Sequence, residues 1–507
     1  MSKAVVVGAG LGGLAAAIRL RTRGYEVTVL EALDRPGGRA RGFERCGFHF
    51  DAGPTVITAP YLLEELFATA GREASEYFSL VPVDPFYRIR FADGEHFDYT
   101  GDEARLLAEI ERLSPQDVDG YRRLARAAEA IFDVGYTRLA DQPFDRVADM
   151  VKVLPSMIRL GSHRSVWDLV ARHIRDERLR QAFTFEPLLV GGNPFETTSI
   201  YLLIHWLERK WGVHFALGGT TSIVNGMTRL LGELDVEVRY DTPVEAIEME
   251  RGRVSAVRTE QGERLSADIV VCNADPAWVY GHLVPDEVRR RRLGKVKRMR
   301  SSMSLFVGYF GVRGQYADLA HHTILLGPRY QELLHDIFRR RVLANDFSLY
   351  LHAPTRTDAR LAPPGHDAFY VLSPVPNNRS GIDWRSEAEP YFERILESLE
   401  STVLPGVRSR IVTRFTLTPH EFEHELRTVD GAAFGPEPIL SQSAYFRWHN
   451  RSRSLDGLYF VGAGTHPGAG VPGVLCSARV LDRVVPAPTS SSVTGHVARE
   501  SAVYASA

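Results

Sequence analysis

Apolar residues cluster in short runs separated by glycine. Ala4 to Val7, bounded by Lys3 and Gly8, is too short for a helix and reads as a buried strand. Leu11 to Leu20 has the Ala/Leu content of a helix, and Glu26 to Leu30 is a second strand ending in Glu31. Two further runs, Ile269 to Cys272 and Leu458 to Val461, have the same buried-strand character although they lie far along the chain. The pattern predicts a helix from Tyr61 to Gly71 and a largely helical stretch from 72 to 210, broken at Pro115, Pro143, Pro155 and Pro194. "GGTTSIVNGMTRLLGEL" is a glycine turn leading into a helix, and 236–268 reads as hairpin strands. Residues 276–440 mix helices with strands such as "SMSLFVGYFGV" and "DFSLYLHAP". No internal repeat is visible, and one domain is expected to be assembled from separated segments.

Between the first strand and helix stands Gly8-x-Gly10-x-x-Gly13. Gly8 permits the tight turn, Gly10 lets the backbone approach a pyrophosphate, and Gly13 lets the helix pack against the strand. The phosphate would rest on the helix N-terminus, where free N–H groups and the dipole favour an anion. The same twenty residues also pass for a secretory leader, but the second strand and Glu31 favour the nucleotide reading. A carboxylate at Glu31 suits ribose hydroxyls and argues against a 2′-phosphate. Downstream, Gly37-Gly38-Arg39 sets a cation after a turn, where a guanidinium reaches a pyrophosphate. Gly53-Pro54 is another tight turn before a helix.

The 507 residues suffice for two or three domains, and a net charge of −2 provides no field for nucleic acid. Cys46, Cys272 and Cys476 are scattered, which suggests neither a disulfide framework nor a zinc site and fits a reducing cytosol. No uninterrupted apolar run is long enough to span a bilayer. From Val484 the Ser/Ala/Pro-rich tail is expected to be disordered.

The series GxGxxG, Glu31, Gly37-Gly38-Arg39 resembles the pattern shared by amine oxidases, prenyl-protein escort proteins and carotenoid desaturases. Longer stretches narrow the likeness. "FDAGPTVIT", "LLVGGNPFETTSIYLLIHWLERKWGV", "LAHHTILLGPRY", "DFSLYLHAPTRTD" and "LYFVGAGTHPGAGVPGV" resemble bacterial phytoene desaturases, from the N-terminus to about residue 480. The resemblance implies an α/β fold with a Rossmann-like FAD-binding domain of the amine oxidase/glutathione reductase type. This domain would comprise residues 1–72, 215–275 and 440–483. A mixed substrate-binding domain would take 73–100 and 276–439, and a helical, membrane-associating domain 101–214. It also implies FAD as hydride acceptor, with oxygen or a quinone as the final electron acceptor. The substrate would be 15-cis-phytoene and its desaturation intermediates, with all-trans-lycopene formed in four steps. The enzyme would sit peripherally on the cytoplasmic side of the membrane, in contact with lipid. Gly462 and Gly464 would lie near the ribityl chain and phosphates, and Gly470, Val471, Pro472 and Gly473 by the isoalloxazine. With Gly8, Gly10, Gly13, Glu31, Gly38, Arg39, Gly53 and Pro54 they make up the expected cofactor site.

Asp149 reads first as a surface carboxylate; facing an apolar tunnel it would stabilise positive charge or accept a proton, and it is the catalytic candidate. His205 and His321-His322 read as structural. With no Asp, Glu or Cys at ligand spacing beside them, no metal is expected. Arg289 to Arg300 reads as a solvated helix face or an anionic-lipid contact, and the apolar, partly basic 145–165 stretch as a second lipid contact. Open alternatives are a three-step, neurosporene-forming enzyme, another carotenoid desaturase or isomerase, an amine oxidase and a non-catalytic escort-like module.

Overall fold

A computed structural model describes residues 1–488. Its first layer is a five-stranded parallel sheet in the order Leu458–Phe460, Ile269–Cys272, Lys3–Val7, Glu26–Leu30, Glu237–Arg239. The central strands are buried on both faces, which is why they carry Val and Ile without alternation. Helix Leu11–Thr22 packs between Val471–Val484 and Thr220–Glu233, and its Ala15, Ala16 and Ala17 are all buried. Small side chains permit that close helix packing on both sides.

Beside this layer lies a three-stranded antiparallel sheet, Val244–Glu250, Arg253–Thr259 and Arg264–Ser266. A third, seven-stranded sheet runs Ile411–Leu417, Ser304–Arg313, His366–Val375, Leu349–His352, His322–Leu325, Tyr87–Arg90, His96–Tyr99. Only the pairing of His322–Leu325 with Tyr87–Arg90 is parallel in it. Helices between Glu103 and Trp211 cover one side of this sheet, sharing a core with it.

The structure corrects three expectations. The stretch expected to be largely helical begins with strands, Leu80–Pro82, Tyr87–Arg90 and His96–Tyr99, where period-two alternation of Tyr87, Ile89, Phe97 and Tyr99 overrides helical reading. Pro155 does not break the chain but sits inside helix Val147–Arg159. Its missing N–H frees the carbonyl of Val151, a residue exposed to solvent, so the lost bond leaves no buried polar group. Finally, Val484 closes the last helix, and Val485 and Pro486 are held by Arg23 and Tyr25. The rest of the expected disordered tail, from 489 on, lies outside the described residues.

Helix Val147–Arg159 has no buried residue. Val147, Val151, Leu154 and Ile158, at helical spacing, are 59%, 62%, 49% and 62% exposed. No helix among the described residues is long and apolar enough to cross a membrane.

Candidate active site

One cavity of about 540 Å³ runs from the parallel sheet to the seven-stranded sheet, within the range of small-molecule sites. At the sheet end, Gly8 turns the chain with φ +99° and donates its N–H to the Leu30 carbonyl at 2.8 Å. Gly13 lies behind this turn rather than on the cavity wall: a Cβ there would stand 1.9 Å from the Gly8 carbonyl oxygen. A Cβ on Gly10 would stand 2.5 Å from Asn273 Nδ2, so the glycines keep open a groove of bare backbone at the start of helix Leu11–Thr22.

Glu31 ends the second strand at the groove's edge, 6% exposed. Its Oε2 accepts the Ala9 N–H at 2.6 Å and its Oε1 that of Leu33 at 3.0 Å, leaving a lone pair on each oxygen for a ligand hydroxyl. Burial raises the Glu31 carboxyl, and these backbone donors oppose the rise. Arg39, on the cavity wall beside Gly38, has a buried Nε without a partner. Burial lowers its pKa, with Asp275 opposing. Gly53 and Pro54 also line the cavity.

The C-terminal loop supplies the opposite wall. Gly462, Gly470, Val471, Pro472 and Gly473 line the cavity where helix Val471–Val484 begins, Gly470 holding φ +89°. Gly464 does not reach the wall, because it packs against Pro276, whose Cδ a Cβ would meet at 2.4 Å. Two residues that the sequence reading did not single out hold this loop. Buried Arg447 donates from Nε to the Thr465 carbonyl at 2.8 Å and from Nη2 to that of Ala463 at 2.7 Å. Asn450 Nδ2 reaches the carbonyls of Phe460 and His466. His466 is buried, and burial pushes its pKa down to about 4.

These features fit FAD. The bare groove at a helix N-terminus and the unpartnered Arg39 Nε suit a pyrophosphate, Glu31 suits a ribose, and the second helix N-terminus closes the far end.

Beyond the cradle the cavity wall becomes apolar, with Leu188, Val190, Ile204, Leu207, Ile324 and Leu326. Val153 and Met157 of helix Val147–Arg159 also face this space, opposite the helix's exposed stripe. Polar groups on the wall are few. Thr55 Oγ1 meets the Tyr350 hydroxyl at 3.0 Å and the Tyr370 hydroxyl at 2.5 Å, and Tyr350 meets His322 Nδ1 at 2.7 Å. Glu208, on helix Leu203–Trp211, accepts from the Tyr87 hydroxyl at 2.6 Å.

Asp149 is absent from the cavity wall. It occupies the first turn of its helix, where its carboxylate accepts the Arg146 N–H at 3.2 Å and so completes a capping interaction. Its spacing from Arg146 is the signal for that role. His205 is wholly buried between the Tyr99 and Tyr121 hydroxyls, with its pKa pushed down to about 3. His321 and His322 are joined by His352 across the sheet, and a ring nitrogen from each falls within 4.8 Å of the others. The third imidazole comes from a strand some thirty residues on, so no residue spacing beside His321-His322 marks it. Burial lowers all three pKa values, that of His321 to about 3. In the basic 289–300 segment, Lys295 turns inward to the Arg447 carbonyl at 2.8 Å, and burial lowers its pKa to about 8.

Residues 11–480 match the family model described as flavin containing amine oxidoreductase. The chain is 49% identical to the phytoene desaturase (lycopene-forming) of Pseudescherichia vulneris, over 94% of this chain and 98% of that one. It is 45% identical to the phytoene desaturase (neurosporene-forming) of Rhodobacter capsulatus, over 96% and 94%. Among solved structures, putrescine oxidase bound to putrescine aligns with TM-score 0.64 at 16% identity, covering 96% of this chain and 99% of that one. That level of identity carries the fold alone.

Proposed function

The chain belongs to the flavin-containing amine oxidoreductase family and within it to the phytoene desaturases, and on that premise we propose that it converts 15-cis-phytoene to all-trans-lycopene in four desaturations. The observation that carries this reading is the continuity of a nucleotide cradle with an apolar chamber inside a chain 49% identical to a lycopene-forming enzyme. When bound, FAD supplies a hydride acceptor.

A carotene has no polar handle, so orientation falls to shape. Leu188, Ile204, Leu207 and Ile324 provide a wall against which a polyene slides, and the same wall excludes water from the reacting carbons. Glu31 and Arg39 would hold the ribose and pyrophosphate. Arg447 and Asn450 fix the loop that closes the far end, so that cofactor and substrate share one rigid frame.

The electron acceptor in this reading is oxygen or a quinone, which would restore the cofactor between steps. We also assign a peripheral membrane position, at the cytoplasmic side. Helix Val147–Arg159 supports it, because one face walls the cavity and the other presents Val147, Val151, Leu154 and Ile158 outward, with the exposed Lys152 and Arg159 beside them. Phe446, 47% exposed on the adjoining turn Ala444–Phe446, extends that apolar surface. A hydrocarbon leaving a bilayer would pass this helix directly into the chamber. The unpaired Cys46, Cys272 and Cys476 agree with a reducing compartment.

Pigment analysis of cells making phytoene and this chain tests the reading. Lycopene is expected, neurosporene would shorten the series to three steps, and unchanged phytoene would overturn it.

A further inference from the structure

Each desaturation removes a proton as well as a hydride, and a dry cavity must provide somewhere for it to go. Four carboxylates line the cavity among the described residues: Glu31, Asp275, Glu425 and Glu208. Glu31 belongs to the cradle. Asp275 caps helix Pro276–His282 through the Ala277 N–H at 2.8 Å, and Glu425 is paired with Arg41. Glu208 alone stands at the apolar end without an ion-pair partner among the described residues. It is 1% exposed, its Oε1 accepts from Tyr87, and its buried Oε2 has no hydrogen-bond partner.

We propose that the Glu208 carboxylate accepts the proton lost from the substrate carbon in each desaturation. The inference rests on the desaturase reading. In the step, a C–H bond breaks, its electron pair becomes the new C=C bond, and the proton forms an O–H bond on Glu208. The hydride of the neighbouring carbon is the part the cofactor accepts. The carboxyl is reset when the electron acceptor, a quinone or dioxygen, is reduced and takes up this proton with the two electrons. Over one cycle a –CH2–CH2– unit and the acceptor give a –CH=CH– unit and the acceptor reduced by two electrons and two protons, one from the hydride and one from Glu208, with no net solvent proton.

The surroundings set the protonation state. Tyr87 faces Glu208 from strand Tyr87–Arg90, Glu186 from the turn Glu186–Val190, Tyr99 from His96–Tyr99, and Tyr350 stands beside Tyr87. His205, held neutral, and Arg209 lie on its own helix. Burial first, then Glu186, hold the Glu208 carboxyl well above the usual carboxylate range, while the Tyr87 hydroxyl works the other way. The base form is therefore less populated than that of an ordinary carboxylate, and turnover should rise with pH as it becomes populated.

The test compares wild type with Glu208→Gln, which keeps an acceptor for Tyr87, and with Tyr87→Phe. Flavin content, melting temperature and carotene binding are measured beside the pH profile of phytoene turnover. Infrared spectra of the cofactor-free chain report the protonated carboxyl directly. Glu208→Gln should fold, bind flavin and carotene, lose turnover by about 10²-fold or more, and lose both the rising limb and the carboxyl band. Tyr87→Phe should move the limb to higher pH. A fully active Glu208→Gln, or one with the wild-type limb, overturns the inference. Wild type that makes no desaturated product would instead sink the desaturase reading itself.

Discussion

The carboxylate of Glu31 accepts the backbone N–H of Ala9 at 2.6 Å, so the residue that would bind ribose also braces the glycine turn that would bind pyrophosphate. Glu31→Ala removes a ligand and leaves a buried N–H unpaired, at a cost of about 1–3 kcal/mol. Purified Glu31→Ala should retain less than about a tenth of the wild-type flavin absorbance, since 1.4 kcal/mol already makes a tenfold difference. Asp149→Ala, altered only at a helix cap, should retain it.

Gly13→Ala places a Cβ 1.9 Å from a backbone oxygen that cannot rotate away. Thermal unfolding should register a loss at the upper end of overpacking costs, about 3 kcal/mol or more. Gly232→Ala is the control. Exposed in helix Thr220–Glu233 with nothing within 4 Å of its Cβ position, it should gain about 0.5–1 kcal/mol.

Features carried by neighbouring residues were readable from the chain, and features assembled across it were not. Gly8, Gly10 and Glu31 announce their roles because the strand, turn and helix are consecutive, so spacing determines geometry. Gly464 shares the composition of its loop but turns toward Pro276, a contact made only by folding. Arg447, the His352 partner of His321 and His322, and the Glu208–Tyr87 pair depend on contacts between distant segments, and no local pattern marks them. Pro155 misled for the opposite reason. Its rule assumes a carbonyl that must be satisfied by the chain, whereas here water is available.

The exposed stripe on helix Val147–Arg159 predicts how the protein meets lipid. Val151→Asp with Ile158→Asp should weaken flotation with phytoene-loaded vesicles by at least about tenfold, since each removes up to about 1.5–3 kcal/mol of apolar burial. Flavin content should not change, because neither residue lines the cavity. Unaltered flotation would leave the helix without a membrane role.

Acid should destabilise the fold through its buried imidazoles. His321, neutral with a pKa of about 3 against 6.5 when unfolded, binds a proton only in the unfolded chain between those values. Its contribution is thus intact above pH 6.5 and is lost as pH falls toward 3, by about 1.4 kcal/mol per pH unit. His321→Gln should flatten the slope of unfolding free energy between pH 4 and 6 by about one proton. An unchanged slope would mean that this ring is already charged in the folded protein.

The most direct measurement combines purified, FAD-loaded protein with phytoene-containing liposomes and a quinone, without nicotinamide, and identifies the carotenes formed. Lycopene, accumulating through intermediates with successively more double bonds, is the expected product. Phytoene left unchanged, or conversion that appears only when NADP is added, would contradict the account.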